Sequence, residues 1–399
     1  MAAAEASPPA SRMLPQPRLV PLAWRNLVSN KRRLLRSSAG IAFAVLLMLV
    51  QLGFERAFFE VSLAVVRALD GELFIMNASK YRFGTSDPFA HNLLDTAKDV
   101  SGVASAAPFY LEWQRFFWKS PEDGKQHLVQ VFAFDPDRPV LTIDGVDGQR
   151  EALKRDDSVL VDRSARPSLG MDKNATESEI NGQRVEIVGT FSLGPDFMSD
   201  GTIVMGDKTF AKLLAGNREA AAALPVDTGV IKVRPGQDID QTKRALRAAL
   251  PPTVTVMTKP ELIEFERHYQ ADLSSAGPIF WLGTIVGFVV GMLISYQIIY
   301  TDLSDQLPQY ATLKGIGYST GYISRIVFTQ AVLSALAGYI PAWLLCLGVY
   351  WVIGRLALLP LHMTLGLTLL SFGLTLAMCL ASAAIALRRV TTVDPAEVF

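Results

Sequence analysis

Gly317, Tyr318, Ser319, Thr320 and Gly321 spell G-x-S-x-G, the pattern in which a turn between a strand and a helix lifts a serine nucleophile clear of a sheet. That chemistry requires the strand, and the residues before Gly317 offer none. The glycines read instead as the end of one helix, at Gly315 or Gly317, and a turn into the apolar run that follows. The four histidines, His91, His127, His268 and His362, are scattered, and neither H-E-x-x-H nor C-x-x-C occurs. No metal site is expected from such a set. G-x-x-x-x-G-K-[ST] is missing as well, so ATP, if it is used, is expected on a partner chain rather than here.

Two further patterns are geometric. Gly283, Gly287 and Gly291 form G-x-x-x-G-x-x-x-G within an apolar run, which places three glycines on one helix face where a second backbone can approach. This predicts close packing, either inside one subunit or across a dimer. The segment 301–321 begins TDLSDQLPQYATLKG. Asp302 and Asp305 are expected to cap a helix, Pro308 to open a short one over Gln309–Lys314, and the glycines to close it. Such a helix would lie along the membrane and present Tyr310, Leu313 and Lys314 to a groove on a cytoplasmic partner.

The elements that would hold these features are four apolar spans, since about 20 residues are needed to cross hydrocarbon. The first lies within 37–70 and the second ends the stretch 260–300. The third covers 322–352 and contains Pro341; the fourth covers 365–387 and carries no charge. Lys and Arg gather before the first span (Arg25, Lys31, Arg32, Arg33, Arg36), between the second and third (Lys314, Arg325) and after the fourth (Arg388, Arg389). The opposite side has Arg56, Arg67, Arg267 and Arg355. By the positive-inside rule both termini are expected in the cytoplasm and the residues between spans one and two outside. A disordered leader (1–17) and an amphipathic helix on the inner leaflet (18–36) would precede span one. The first span lacks a small-residue cleavage site, so it reads as an anchor and not as a removable signal.

Half of the residues are apolar and the formal net charge is zero, which gives no support to nucleic-acid binding. Both cysteines, Cys346 and Cys379, fall inside spans. The region 71–259 must therefore fold without a disulfide. It mixes strand candidates (Glu72–Met76, Val103–Lys119, Gln126–Phe134, Ser158–Val161, Arg184–Phe191, Thr202–Met205, Thr228–Val233, Thr253–Met257) with helix candidates (Asp87–Val100, Asp207–Ala215, Ile239–Leu250). An α+β domain follows, with an inserted subdomain over 135–225. Helical stalks running to Asp70 and from Pro260 are expected to join it stiffly to the spans, because no Gly/Ser-rich linker intervenes. The fold class is thus a membrane protein with four transmembrane helices, arranged 1+3, around a large α+β periplasmic domain.

PLAWRNL, AGIAFAVLLMLVQLGFERAFFE, DGELFIMN, VTVMTKPELIEFE, ISYQIIYTDLSDQLPQYATLKGIGY and the terminal DPAEVF together resemble the DevC-type permeases. These belong to the MacB/FtsX/LolCE group of ABC transporter membrane subunits. The stretch 135–225 matches least. The resemblance implies an inner-membrane homodimer and a cytoplasmic ATPase dimer that uses the ATP and Mg. It implies an HlyD-like membrane-fusion adaptor and a TolC-like outer-membrane channel. It also implies that 301–321 is the coupling segment, with Tyr310, Thr312, Leu313, Lys314, Gly315 and Gly317 meeting the ATPase. The chain itself would not be an enzyme: motion relayed along the stalks would drive export of a lipid-like cargo. An FtsX-like regulator of a periplasmic hydrolase is the other function this layout serves.

Overall fold

In the computed structural model, residues 31–171, 175–274 and 276–391 are described. The leader expected at 1–17, residues 18–30 of the amphipathic helix expected at 18–36, and residues 392–399 lie outside them. The chain divides into two units: a helical one built from residues up to Gly53, Leu282–Val349 and from Met363 onward, and a second of Phe54–Trp281 with Tyr350–His362.

In chain order, α1 (Lys31–Ser62) and α2 (Ala64–Ala68) precede β1 (Leu73–Asn77), α3 (Asn92–Lys98), β2 (Val103–Glu112), β3 (Phe117–Lys119), β4 (Gln126–Leu128) and β5 (Gln130–Phe134). Next come β6 (Ser158–Asp162), β7 (Glu177–Ile180), β8 (Gln183–Phe191), β9 (Thr202–Gly206) and α4 (Asp207–Ala215). The domain ends with β10 (Thr228–Val233), α5 (Ile239–Ala249), β11 (Val254–Thr258) and α6 (Lys259–His268). The strands form one sheet in the order β11-β1-β10-β2-β5-β9-β6-β8-β7-β3-β4. It is mixed: β5 runs parallel to β9 and β6 parallel to β8, while the other pairs are antiparallel.

Both faces of the sheet are covered, so alternate residues of each strand enter different cores. Leu73, Ile75, Val131, Ala133, Ile203 and Met205 pack on one side with Leu94 of α3, Phe210 of α4 and Leu246 of α5. Phe74, Met76, Phe132, Phe134 and Val204 pack on the other with Val65 and Val66 of α2 and Leu262 of α6. This is why the strands read as continuous apolar runs and not as alternations. The residues 135–225 are joined to the rest through β5–β9 and through β3–β7, in which Trp118 lies opposite Ile180. Strands from inside and outside that stretch therefore share one sheet.

Asp227 is buried beside Lys80, 3.8 Å from its amine, and accepts a hydrogen bond from the Leu111 amide at 3.2 Å. Burial outweighs the pull of Lys80 and pushes Asp227 from 3.8 up to about 6; it also pushes Lys80 down. The folded chain thus keeps a proton that the unfolded chain has lost. The stability from this group is fully present below about 3.8 and lost as pH rises through about 6. Asp227→Asn should remove that slope, a change of order 2 kcal/mol across the window, read from melts of the detergent-solubilised protein between pH 4 and 7.

The remaining helices are α7 (Ala276–Asp305), α8 (Leu307–Gly315), α9 (Thr320–Ala357) and α10 (Leu365–Thr391). Among the described residues, four helical stretches are long and apolar enough to cross a membrane: Leu34–Ser62, Ala276–Asp305, Thr320–Ala357 and Leu365–Arg388. Pro341 sits inside α9 without ending it.

The two stalks differ. α1 is unbroken to Ser62, and after Leu63 the chain resumes as α2. α6 opens with a capping box, in which Thr258 and Glu261 each accept the other's backbone N–H. It then loosens into a π turn over Tyr269–Leu273, and Ser274 is extended (φ −80°, ψ 157°). The continuous second stalk expected from the sequence is thus interrupted. The Ser274 hydroxyl accepts from the Ala276 amide at 3.3 Å, a local bond that competes with helix continuation.

Candidate functional site

Pro308, in the first turn of α8, fits the helix start, where its missing N–H is not needed. Gln306 is the N-cap, and α7 runs on through Asp302 and Asp305, so the two aspartates do not cap α8 as expected. At the other end Gly317 adopts φ +103°. The Tyr318 amide donates to the Leu313 carbonyl (3.1 Å) and the Gly317 amide to the Lys314 carbonyl (3.0 Å). These two bonds make a Schellman closure, which needs a left-handed residue at the Gly317 position. Leu313 and Tyr318 accompany it, packed against the same apolar cluster.

That cluster decides which way α8 faces. Tyr310 is only 6 % exposed and joins Ile299 and Leu303 of α7, Tyr322 and Ile326 of α9, and Ala383 and Ala386 of α10. Its hydroxyl donates to Gln306 Oε1 at 2.8 Å. The expectation that Tyr310 is presented to a partner is therefore corrected: Tyr310 fastens α8 to its own helices, and Leu313 is half-buried beside it. The exposed residues are Pro308, Gln309, Thr312, Lys314, Gly315, Gly317 and Ile316, the last 63 % exposed. The sequence reading missed Ile316; an apolar residue between two glycines at a helix end was its signal.

Ser319 is the N-terminal neighbour of α9, and its hydroxyl accepts from the Tyr322 amide at 3.3 Å. No strand precedes it, so the serine of G-x-S-x-G serves as a helix cap. Ser319→Ala should cost about 1 kcal/mol of local helix stability, measured by hydrogen exchange at Tyr322.

The three glycines of α7 do not share one neighbour. A Cβ on Gly283 would stand 2.5 Å from Gln51 Nε2, and one on Gly291 would stand 2.6 Å from Met378 Sδ and 3.2 Å from Ala44. Among the described residues, a Cβ on Gly287 would meet nothing within 4 Å. Two of the three therefore pack within the subunit. The wide apolar face of α7 that includes Ile285, Val286, Val289 and Val290 is exposed.

Residues 38–249, more than half of the chain, match the model of the MacB-like periplasmic core domain, and residues 276–395 match that of the FtsX-like permease C-terminal region. The chain belongs to the MacB/FtsX-like family of ABC transporter permeases. No curated protein matches this permease. Among solved structures it is similar to the periplasmic region of MacB from Actinobacillus actinomycetemcomitans, at 10% identity over 49% of this chain and 92% of that one (TM-score 0.35). It is also similar to the extracellular domain of the ABC-type transporter YknZ from Gram-positive bacteria, at 13% identity over 47% and 99% of the two chains (TM-score 0.32). The matched ranges place α8 within the FtsX-like part of the permease and β1–β10 within the MacB-like part, with β11 just beyond it.

Proposed function

We propose that this chain is the membrane subunit of an export complex and that α8 is where a cytoplasmic ABC ATPase dimer engages it. The observation that carries this reading is α8 itself. It is a nine-residue helix set between two candidate spans, fastened through Tyr310 and Leu313 and showing Gln309, Thr312, Lys314 and Ile316 outward. A short helix fixed on its inner face moves with its bundle, so force applied to the exposed face reaches α7 and α9. Thr312, Gly315 and Gly317 belong to the contact surface and the closure, while Tyr310 transmits and does not touch.

ATP and Mg are used by the partner, and this subunit catalyses nothing. It sits in the inner membrane with both termini in the cytoplasm, the side on which Arg36, Lys314, Arg325 and Arg388 cluster. Two copies pair through the exposed apolar face of α7, with Gly287 allowing close approach. α1 is the stiff member of each stalk pair; the break at Ser274 lets the second yield. The sheet domain then works against an HlyD-like adaptor and a TolC-like channel, and the cargo is lipid-like.

Purification of the tagged chain in mild detergent tests this. An ABC ATPase and a membrane-fusion adaptor should co-elute, with the ATPase lost on Leu313→Asp. Co-elution with a cell-wall hydrolase in place of the adaptor would overturn the export reading.

A further inference from the structure

The sheet domain holds a cavity of about 300 Å³ that the coupling account does not use. One wall is apolar and comes from the end of α1 and from α2, through Phe58, Val61 and Val65. Phe197 and Met198, on the loop after Gly194, form its rim: Met198 is 67 % exposed, and the Phe197 ring lies 5.4 Å from that of Phe58. The other wall is polar. Arg82 lies over the rings of Trp113 (5.5 Å) and Tyr269 (5.7 Å), and all three line the cavity with Asp196. Arg82 Nε, Trp113 Nε1 and Asp196 Oδ2 are each buried and have no hydrogen-bond partner among the described residues. Buried polar atoms are normally paired, and three orphans just beneath the surface of residues that line one cavity mark a place where something else supplies the partners. The nearby Glu266 is already used: it accepts from the Phe83 amide (2.7 Å) and from Gln270 Nε2 (2.8 Å).

The orphans define the ligand. Two donors, one of them cationic, suit an anionic oxygen; one carboxylate oxygen suits a cationic N–H. An apolar wall beside them suits a hydrocarbon tail. We infer that this cavity binds a zwitterionic single-chain amphiphile, its phosphate-like oxygens at Arg82 and Trp113, its ammonium at Asp196 and its tail along Phe58, Val61 and Val65. This deepens the export reading by assigning the cargo a class and a place, and it rests on that reading only for calling the ligand cargo.

The test uses the full chain in detergent, without ATPase or nucleotide, so its failure is separate from failure of the coupling account. The probe is lysophosphatidylethanolamine carrying a diazirine in its acyl chain. Cross-links should map to 58–65 and 193–198, and unlabelled lysophosphatidylethanolamine should compete. Anionic lysophosphatidylglycerol should compete at least fivefold more weakly, and tail-less glycerophosphoethanolamine should not compete. Arg82→Gln, Asp196→Asn and the cavity-filling Val61→Trp should each lower labelling at least fivefold while eluting as wild type. The inference is overturned if labelling spreads along α7 instead, if glycerophosphoethanolamine or lysophosphatidylglycerol competes equally, or if a normally eluting variant labels as wild type.

Discussion

Leu313→Asp should leave the permease in the membrane and reduce the ATP-dependent export proposed above at least tenfold. Leu313 is half-buried against the cluster of Tyr310, Tyr322 and Ile326 and stands at the Schellman closure of α8. A carboxylate there costs several kcal/mol if it stays buried. A helix of nine residues has no independent stability to hold it in place. The cheaper outcome is detachment of α8 from α7 and α9, which removes the proposed lever and leaves the spans untouched. Gly315→Pro should act alike, by deleting an intrahelical bond at about 3 kcal/mol. Exposed Thr312→Ala should have a small effect. Export from inverted vesicles, normalised to inserted protein, distinguishes these. Wild-type export by both Leu313→Asp and Gly315→Pro would remove α8 from the coupling role.

Gly338→Leu should prevent the helical unit from assembling. A Cβ on Gly338 would stand 2.4 Å from Ile41 Cγ2, 2.7 Å from Ile41 Cβ and 3.3 Å from the Ala42 amide nitrogen, so backbone limits any retreat. Overpacking commonly costs 1–3 kcal/mol, and four added heavy atoms at a helix contact lie at the upper end of that range. Monodisperse yield in detergent should fall at least fivefold. Gly287→Leu is the matched control, since a Cβ on Gly287 would meet nothing within 4 Å among the described residues. It should give a normally folded subunit that no longer makes the α7 pairing proposed above. A normal yield for Gly338→Leu would mean that α1 and α9 separate freely at this point.

How much of this the sequence could reveal follows from how local each signal is. The candidate spans were legible because length and hydropathy are local. Most strands were legible as apolar runs between turns. β3 was not resolved from β2, although the polar, exposed Gln114 and Arg115 between Trp113 and Phe116 mark the break between them. The membership of one sheet was hidden, since β5–β9 and β3–β7 pair residues some 60 to 70 positions apart and no local pattern encodes such pairing. The Thr258–Glu261 capping box was readable and marks the start of α6 better than Pro260 does. The break at Ser274 was masked by Leu262, Phe265, Tyr269 and Leu273, whose helical spacing runs almost up to it.

At the site, the spacing of Gly283, Gly287 and Gly291 gave the face but not the neighbours, which come from α1 and α10. Gly338 had its own signal, overlooked because it is not G-x-x-x-G. Ala331, Ala335, Gly338 and Ala342 recur at three or four residues, and the three alanines are buried. Tyr310 was placed on the right helix with the wrong direction. An aromatic on a short amphiphilic helix looks the same from sequence whether it anchors or docks, and only the Ile299, Tyr322 and Ala383 cluster separates the two.

The measurement that bears most directly on the account is a site-directed cross-link from Ile316→Cys to the ABC ATPase in native membranes. The two natural cysteines, Cys346 and Cys379, are buried, so the background should be low. The account predicts a single adduct with the ATPase whose yield changes between nucleotide-free and ATP-trapped states. No adduct, or the same adduct from Met198→Cys in the sheet domain, would contradict it.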